Sequence, residues 1–217
     1  MLETVAYSIP WIGLIVGYGI LTHGIILLND GLYWDGWMLD VWQENKDWKS
    51  MRRFFSEVGM RNLYFEHRIL GYFPKRRSVY RAVSLASILI AALAVFLMLV
   101  HTGTFTPPQA TAIALLFVSY PAYAVTFESN VSLQYTFKIA LFYVACFLAV
   151  TTIAEIDSGN IAIFAGSLVL FFAAFNANSL LAYFWGFVLF YGWLAYSRGA
   201  GSLASATACR SFMPATM

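Results

Sequence analysis

The stretch Asn29-Asp30-Gly31-Leu32-Tyr33-Trp34-Asp35-Gly36-Trp37 sets two carboxylates among glycines and aromatic residues, directly after a long apolar run. A carboxylate within hydrogen-bond reach of a hydroxyl can take its proton as that oxygen attacks an electrophile, so Asp35 and Asp30 are candidates for a catalytic base. The tryptophans suit a membrane–water interface, and the glycines let the backbone turn sharply there. The same residues also suit a plainer role, ending a helix and hydrating a loop. A second polar signal lies further along, where Asn130, Gln134 and Lys138 recur at every fourth position. On a helix they form one polar row. A lysine two turns inside an apolar segment is costly unless it faces water, a partner or an anionic ligand, or snorkels back to the interface. His23 lies two helical turns before Asp30. It is either a neutral histidine packed between helices or part of a polar cavity continuing to Asp30.

The elements that must carry these residues are set by composition: the chain is 60% hydrophobic and 18% aromatic with only 11% charged residues over 217 positions. That composition excludes an ordinary soluble domain and implies an all-α, polytopic transmembrane helical bundle. Two cysteines, Cys146 in an apolar segment and Cys209 near the end, exclude a disulfide framework and a cysteine-based metal site. The first apolar run is long enough to span and no basic region precedes it, so it reads as a membrane span and not as a cleaved signal. There is no phosphate-binding P-loop, no dinucleotide fingerprint, no His pair at metal-binding helical spacing and no nucleic-acid module in the sequence.

Hydropathy predicts about six spans, near 5–28, 79–101, 109–127, 131–153, 160–175 and 179–197. Pro121 is expected to kink the third. Short connections at 128–130 and 176–179 then share one side with the long segment 29–78. Within that segment Trp48, Met51, Phe55 and Val58 recur at helical spacing, with Asp47 as a candidate N-cap and Gly59 as a stop. A shorter stripe comes next at Met60, Leu63, Tyr64, His67 and Leu70. The pattern predicts two amphipathic helices lying in the interface plane. Lys75, Arg76, Arg77 and Arg81, at the start of the second span, are expected to anchor it to phosphate headgroups. Residues 1–197 read as one membrane module and 198–217 as a disordered tail poor in large apolar side chains.

The order of these strings resembles the GT-C superfamily of membrane glycosyltransferases, which use polyprenyl-phosphate-linked sugars. The resemblance rests on Asn29-Asp30, Tyr33-Trp34-Asp35-Gly36-Trp37, the two interfacial helices, Tyr120-Pro121-Ala122-Tyr123, Ser129-Asn130-Val131-Ser132-Leu133-Gln134-Tyr135 and Asn178-Ser179-Leu180-Leu181. It implies an acidic base in the first external loop, which by position is Asp35, with Asp30 as the alternative or supporting carboxylate. It also implies a cation facing the departing lipid phosphate, for which Lys138 and Arg68 are candidates. Gln134, Asn130, His67 and Asn178 complete the expected substrate-binding set. The donor is then a polyprenyl-phosphate sugar in membrane lipid and the acceptor a glycan, lipid or protein. No separate cofactor is implied, and a divalent metal is left open. The superfamily's module usually continues with a seventh span and further elements, so these residues would form its N-terminal six-span portion, a truncated form. The resemblance places the module in a prokaryotic inner membrane with the first loop outside. Nine of the thirteen Lys and Arg residues fall between 29 and 78, which by the positive-inside rule argues for the opposite orientation. The alternative reading is a non-catalytic lipid-binding or transport-associated membrane subunit.

Overall fold

In a bilayer no water is available to satisfy backbone N–H and C=O groups, so an apolar chain crosses it as helices that close their own hydrogen bonds. The computed structural model of this chain describes residues 2–28, 31, 36–73, 75–120, 131–152, 158–175 and 189, and the regular elements among them are all helical. In order they are α1 (Leu2–His23), continued by a 3-10 segment (Gly24–Leu28), then α2 (Gly36–Glu44), α3 (Trp48–Glu57), α4 (Arg61–Gly71), α5 (Arg76–His101), α6 (Pro107–Val118), α7 (Val131–Thr152) and α8 (Ser158–Phe175). The contacts divide the chain into two units, 1–178 and 179–217, and all of these helices belong to the first. The sixth expected span, apart from Leu189, and the tail lie outside the described residues.

Among the described residues three segments are long and apolar enough to cross a membrane: Ser8–Leu28, Arg77–His101 and Leu133–Thr152. α6 and α8 are apolar but shorter. The third span, expected to run to 127 with a kink at Pro121, is helical only over Pro107–Val118 among the described residues. Twelve residues span about 18 Å, well short of a hydrocarbon core. α6 ends at Val118, and Pro121, with its expected kink and the rest of the expected third span, lies outside the described residues. At the other end Thr106 and Gln109 form a capping box with Pro107 in the first turn.

α5 is the central helix, packing against α1, α6 and α7, while α8 packs on α7. Ile15, Ala92, Phe96, Ala110, Ala114 and Val118 form the buried seam of α1, α5 and α6. Its alanines let the backbones of α5 and α6 approach closely, which is how helices gain contact in lipid. Where α6 ends, the Ser119 hydroxyl donates to the Leu115 carbonyl at 2.8 Å and the Tyr18 hydroxyl donates to Ser119 Oγ at 2.7 Å.

The segment between the first two spans differs from the expectation. It holds three helices, not two, and their apolar stripes face one another. Leu39 of α2, Met51 and Phe55 of α3, and Leu63 and Tyr64 of α4 make a small core flanked by Trp42, Trp48, Phe54 and Met60. Asp47 caps α3 as expected, its carboxylate accepting from the Ser50 N–H at 3.0 Å. Hydrogen bonds from Ser50 hold that carboxyl below the usual carboxylate range. Gly59, at φ +76°, supplies the left-handed turn that folds α4 back on α3. With so short a link the two stripes meet each other before either can meet lipid.

The α5–α6 seam carries a stability prediction. Ala114 is fully buried, so Ala114→Leu should cost about 1–3 kcal/mol by overpacking, seen as a lower unfolding midpoint in detergent. An unchanged midpoint would contradict the close approach of α5 and α6.

Candidate functional site

The first two turns of α5 carry Arg77, Tyr80, Arg81 and Ser84, whose i, i+3, i+4, i+7 spacing puts them on one face. Arg77 donates to Asp40 of α2 at 2.7 Å, and Asp40 is nearly fully buried. One turn on, Tyr80 meets both Gln43 of α2 and His67 of α4, each at 2.7 Å. Arg81 is fully buried and donates to the carbonyl of Gly31 at 2.6 Å. Arg81, expected on headgroups, is buried against a backbone carbonyl instead, while Arg77, whose side chain is 41% exposed, pairs with Asp40. The start of α5 thus holds α2, α4 and the chain at Gly31 together.

The donors in this layer can be assigned in sequence. The His67 carbonyl can only accept, so the Gln43 amide must turn its NH2 toward it, at 2.8 Å, and toward the Tyr80 oxygen. This leaves Gln43 Oε1 without a partner among the described residues. The Tyr80 hydroxyl lies 2.7 Å from His67 Nδ1, and the buried imidazole is neutral. His67 is sandwiched between Phe55 and Tyr80, with ring centroids 5.2 and 5.6 Å away. Burial pushes its pKa down to about 4. Gly71 permits this packing, since a Cβ there would stand 3.0 Å from both Gln43 Cγ and Trp48 Cη2.

Lys138, expected as a cation for a ligand phosphate, has a protein counter-charge. Its ammonium lies 2.5 Å from Glu66 Oε1 of α4, with the lysine side chain 5% and the glutamate 25% exposed. A charge carried into an apolar helix needs such a partner, and a carboxylate of the same chain supplies it. Gln134, one turn earlier on α7, is half-buried. Arg68 is exposed, donates to the Tyr64 hydroxyl at 3.0 Å and stacks over its ring at 5.8 Å. Asp30, Asp35, Asn130 and Asn178 lie outside the described residues.

Of the expected substrate-binding set, His67 and Lys138 are both buried, His67 against Gln43 and Tyr80 and Lys138 against Glu66, while Arg68, also on α4, is exposed. Glu66, Asp40, Gln43 and Tyr80 are not singled out by the sequence. Glu66 has a signal there, since a committed intramembrane cation asks for a carboxylate and the chain has only eleven Asp and Glu residues. An open groove of about 550 Å³ lies on the outer side of α3, lined by Trp48, Lys49, Arg52, Arg53, Ser56, Glu57 and Tyr64. It contains none of the expected site residues. Among the described residues no group of His, Cys, Asp and Glu is arranged to hold a metal ion. No family model matches the chain, and comparisons with curated proteins and with solved structures find no match either.

The ion pair and the buried imidazole each make a measurable prediction. Lys138→Met leaves Glu66 without its cation and should destabilise the protein by on the order of 3 kcal/mol, most of it recovered in Glu66→Gln/Lys138→Met. Thermal unfolding of the four proteins in one detergent measures this, and additive losses would refute the pair. For His67, the unfolded chain binds a proton near pH 6.5 and the folded one only near 4. Stability is therefore complete above about pH 6.5 and falls as the pH drops toward 4, by about 3 kcal/mol in all. His67→Asn should be less stable at pH 7.5 yet lose less between pH 6.5 and 4.5, as read from unfolding midpoints.

Proposed function

We propose that this chain is an integral-membrane glycosyltransferase of GT-C type that moves a sugar from a polyprenyl-phosphate carrier to a glycan, lipid or protein acceptor. What supports the reading is the fully buried Arg81 guanidinium bound to the Gly31 carbonyl. Gly31 follows Asp30 directly and precedes Asp35 by four positions, so a fixed cation binds the chain at a residue that lies between the two candidate bases in sequence. In the proposed reaction an acceptor hydroxyl oxygen bonds to the anomeric carbon as the bond from that carbon to the phosphate oxygen breaks. The hydroxyl proton passes to Asp35, or to Asp30, and the lipid phosphate departs with the electron pair. A single displacement of this kind inverts the anomeric centre. The proposal includes six spans, a prokaryotic inner membrane, and an outward-facing first loop.

A second reading is a non-catalytic lipid-binding or transport-associated subunit. It is favoured by the Lys138–Glu66 pair, which engages within the protein the cation assigned to the donor phosphate. Membranes containing the protein, incubated with labelled polyprenyl-phosphate sugars and candidate acceptors, separate the two readings. Asp30→Asn/Asp35→Asn should lower transfer roughly a hundredfold or more while donor binding persists. Transfer unchanged in the double variant would remove these bases, and donor binding without transfer in the unaltered protein would favour the second reading.

A further inference from the structure

α4 is apolar on two opposite sides. Leu63, Tyr64 and His67 face inward and are buried, whereas Phe65, Ile69, Tyr72 and Phe73 are 58%, 62%, 62% and 50% exposed. The second set stands at i, i+4, i+7 and i+8, one continuous stripe extending just past the end of the helix. Neighbouring α3 is different. Its inner side buries Met51 and Phe55, but its outer side presents Lys49, Arg52, Arg53, Ser56 and Glu57 to solvent. A helix with one apolar side needs one partner, and a helix with two needs a second.

We infer that the Phe65–Ile69–Tyr72–Phe73 face of α4 lies directly on the lipid bilayer, sunk to the level of the second turn of α7, while α3 rides above it in water. Two features of the structure select lipid as the occupant. Glu66, adjacent to Phe65, is paired with Lys138, and Lys138 lies inside Leu133–Thr152, a stretch long and apolar enough to cross a membrane. That contact sets the depth of α4 from the protein side. At the other end Phe73 is four residues from Arg77, where the span of α5 begins, so the stripe runs to the membrane boundary with no room for an intervening domain. Arg61 and Arg68, two helical turns apart on one edge of the stripe, and Lys75 beyond it are exposed cations placed for anionic headgroups. A second copy of the chain fits less well. Four half-exposed side chains offer on the order of 500 Å², below the roughly 800 Å² per partner of a stable interface. The inference stands whichever functional reading holds, since it concerns the seat of α4 and not the reaction.

The test uses the whole chain in nanodiscs holding one protomer each, made of phosphatidylcholine and phosphatidylglycerol. Cys146→Ala and Cys209→Ser remove the native thiols, and single cysteines at Phe65→Cys, Ile69→Cys or Arg52→Cys carry an environment-sensitive fluorophore. Labels at 65 and 69 should be quenched several-fold more by nitroxide-bearing lipid than the label at 52, and several-fold less by aqueous iodide. Iodide quenching at 65 and 69 equal to that at 52 would overturn the inference, and so would protection from both quenchers, which would mean that protein covers the face. The chain without substitutions gives an independent measurement. Photoactivatable lipid should form adducts on the segment 65–73 and not on 49–57, and the reverse pattern, or adducts on neither, would also overturn it.

Discussion

A charged group can enter an apolar helix only if its counter-charge comes with it, and the ion pair of Lys138 with Glu66 meets that condition. Removing water from two charges costs several kcal/mol per ion in real proteins, and only close contact and further polar contacts offset it. The pair therefore fixes position more than it adds stability. It joins α7, long and apolar enough to cross a membrane, to α4, a helix from the segment between α1 and α5. The small core of α2, α3 and α4 is thereby held against the bundle and cannot drift on its connections.

α5 divides this labour along its length. Its first two turns present Arg77, Tyr80 and Arg81 to α2, α4 and the chain at Gly31. Beyond them the helix becomes aliphatic and small, with Ala91, Ala92 and Ala94 buried beside Phe96. Directional hydrogen bonds specify which groups meet at the boundary, and close packing supplies attraction deeper in, where lipid is as apolar as the side chains. The polar end gives α5 a rigid layer bonded to the chain at Gly31. In the proposed transferase that rigidity counts, because a base must sit within hydrogen-bond reach of the hydroxyl it deprotonates.

How much of this is legible in the sequence depends on what a pattern can encode. Composition and long uncharged runs identify helices long and apolar enough to cross a membrane, and α1, α5 and α7 lie close to where hydropathy puts them. Periodicity likewise picks out the residues of α3 and α4 that share a side. It does not say what that side meets, and so stripes expected on lipid close on each other as a small core. α2 escapes a pattern search because its aromatic and acidic string reads equally well as an interfacial loop. Lys138 is legible as a costly residue, but its partner lies 72 positions away, and no local pattern links the two. Arg81 reads as a headgroup anchor because arginine at the end of a span commonly is one, whereas its burial depends on the path of the chain at Gly31. Asp30, Asp35, Asn130 and Asn178 remain sequence expectations.

The last bond of α6 bears on the order in which the chain is built. His23 lies 2.7 Å from the Val118 carbonyl, and since a carbonyl only accepts, the imidazole N–H is the donor. Val118 ends α6, so its carbonyl has no helical N–H partner among the described residues, and in an apolar setting such an orphan costs free energy. Ribosomes make α1 first, so the imidazole that completes α6 is already in place when α6 emerges. A chain rearranged so that α1 were synthesised last would have to insert α6 with that carbonyl bare.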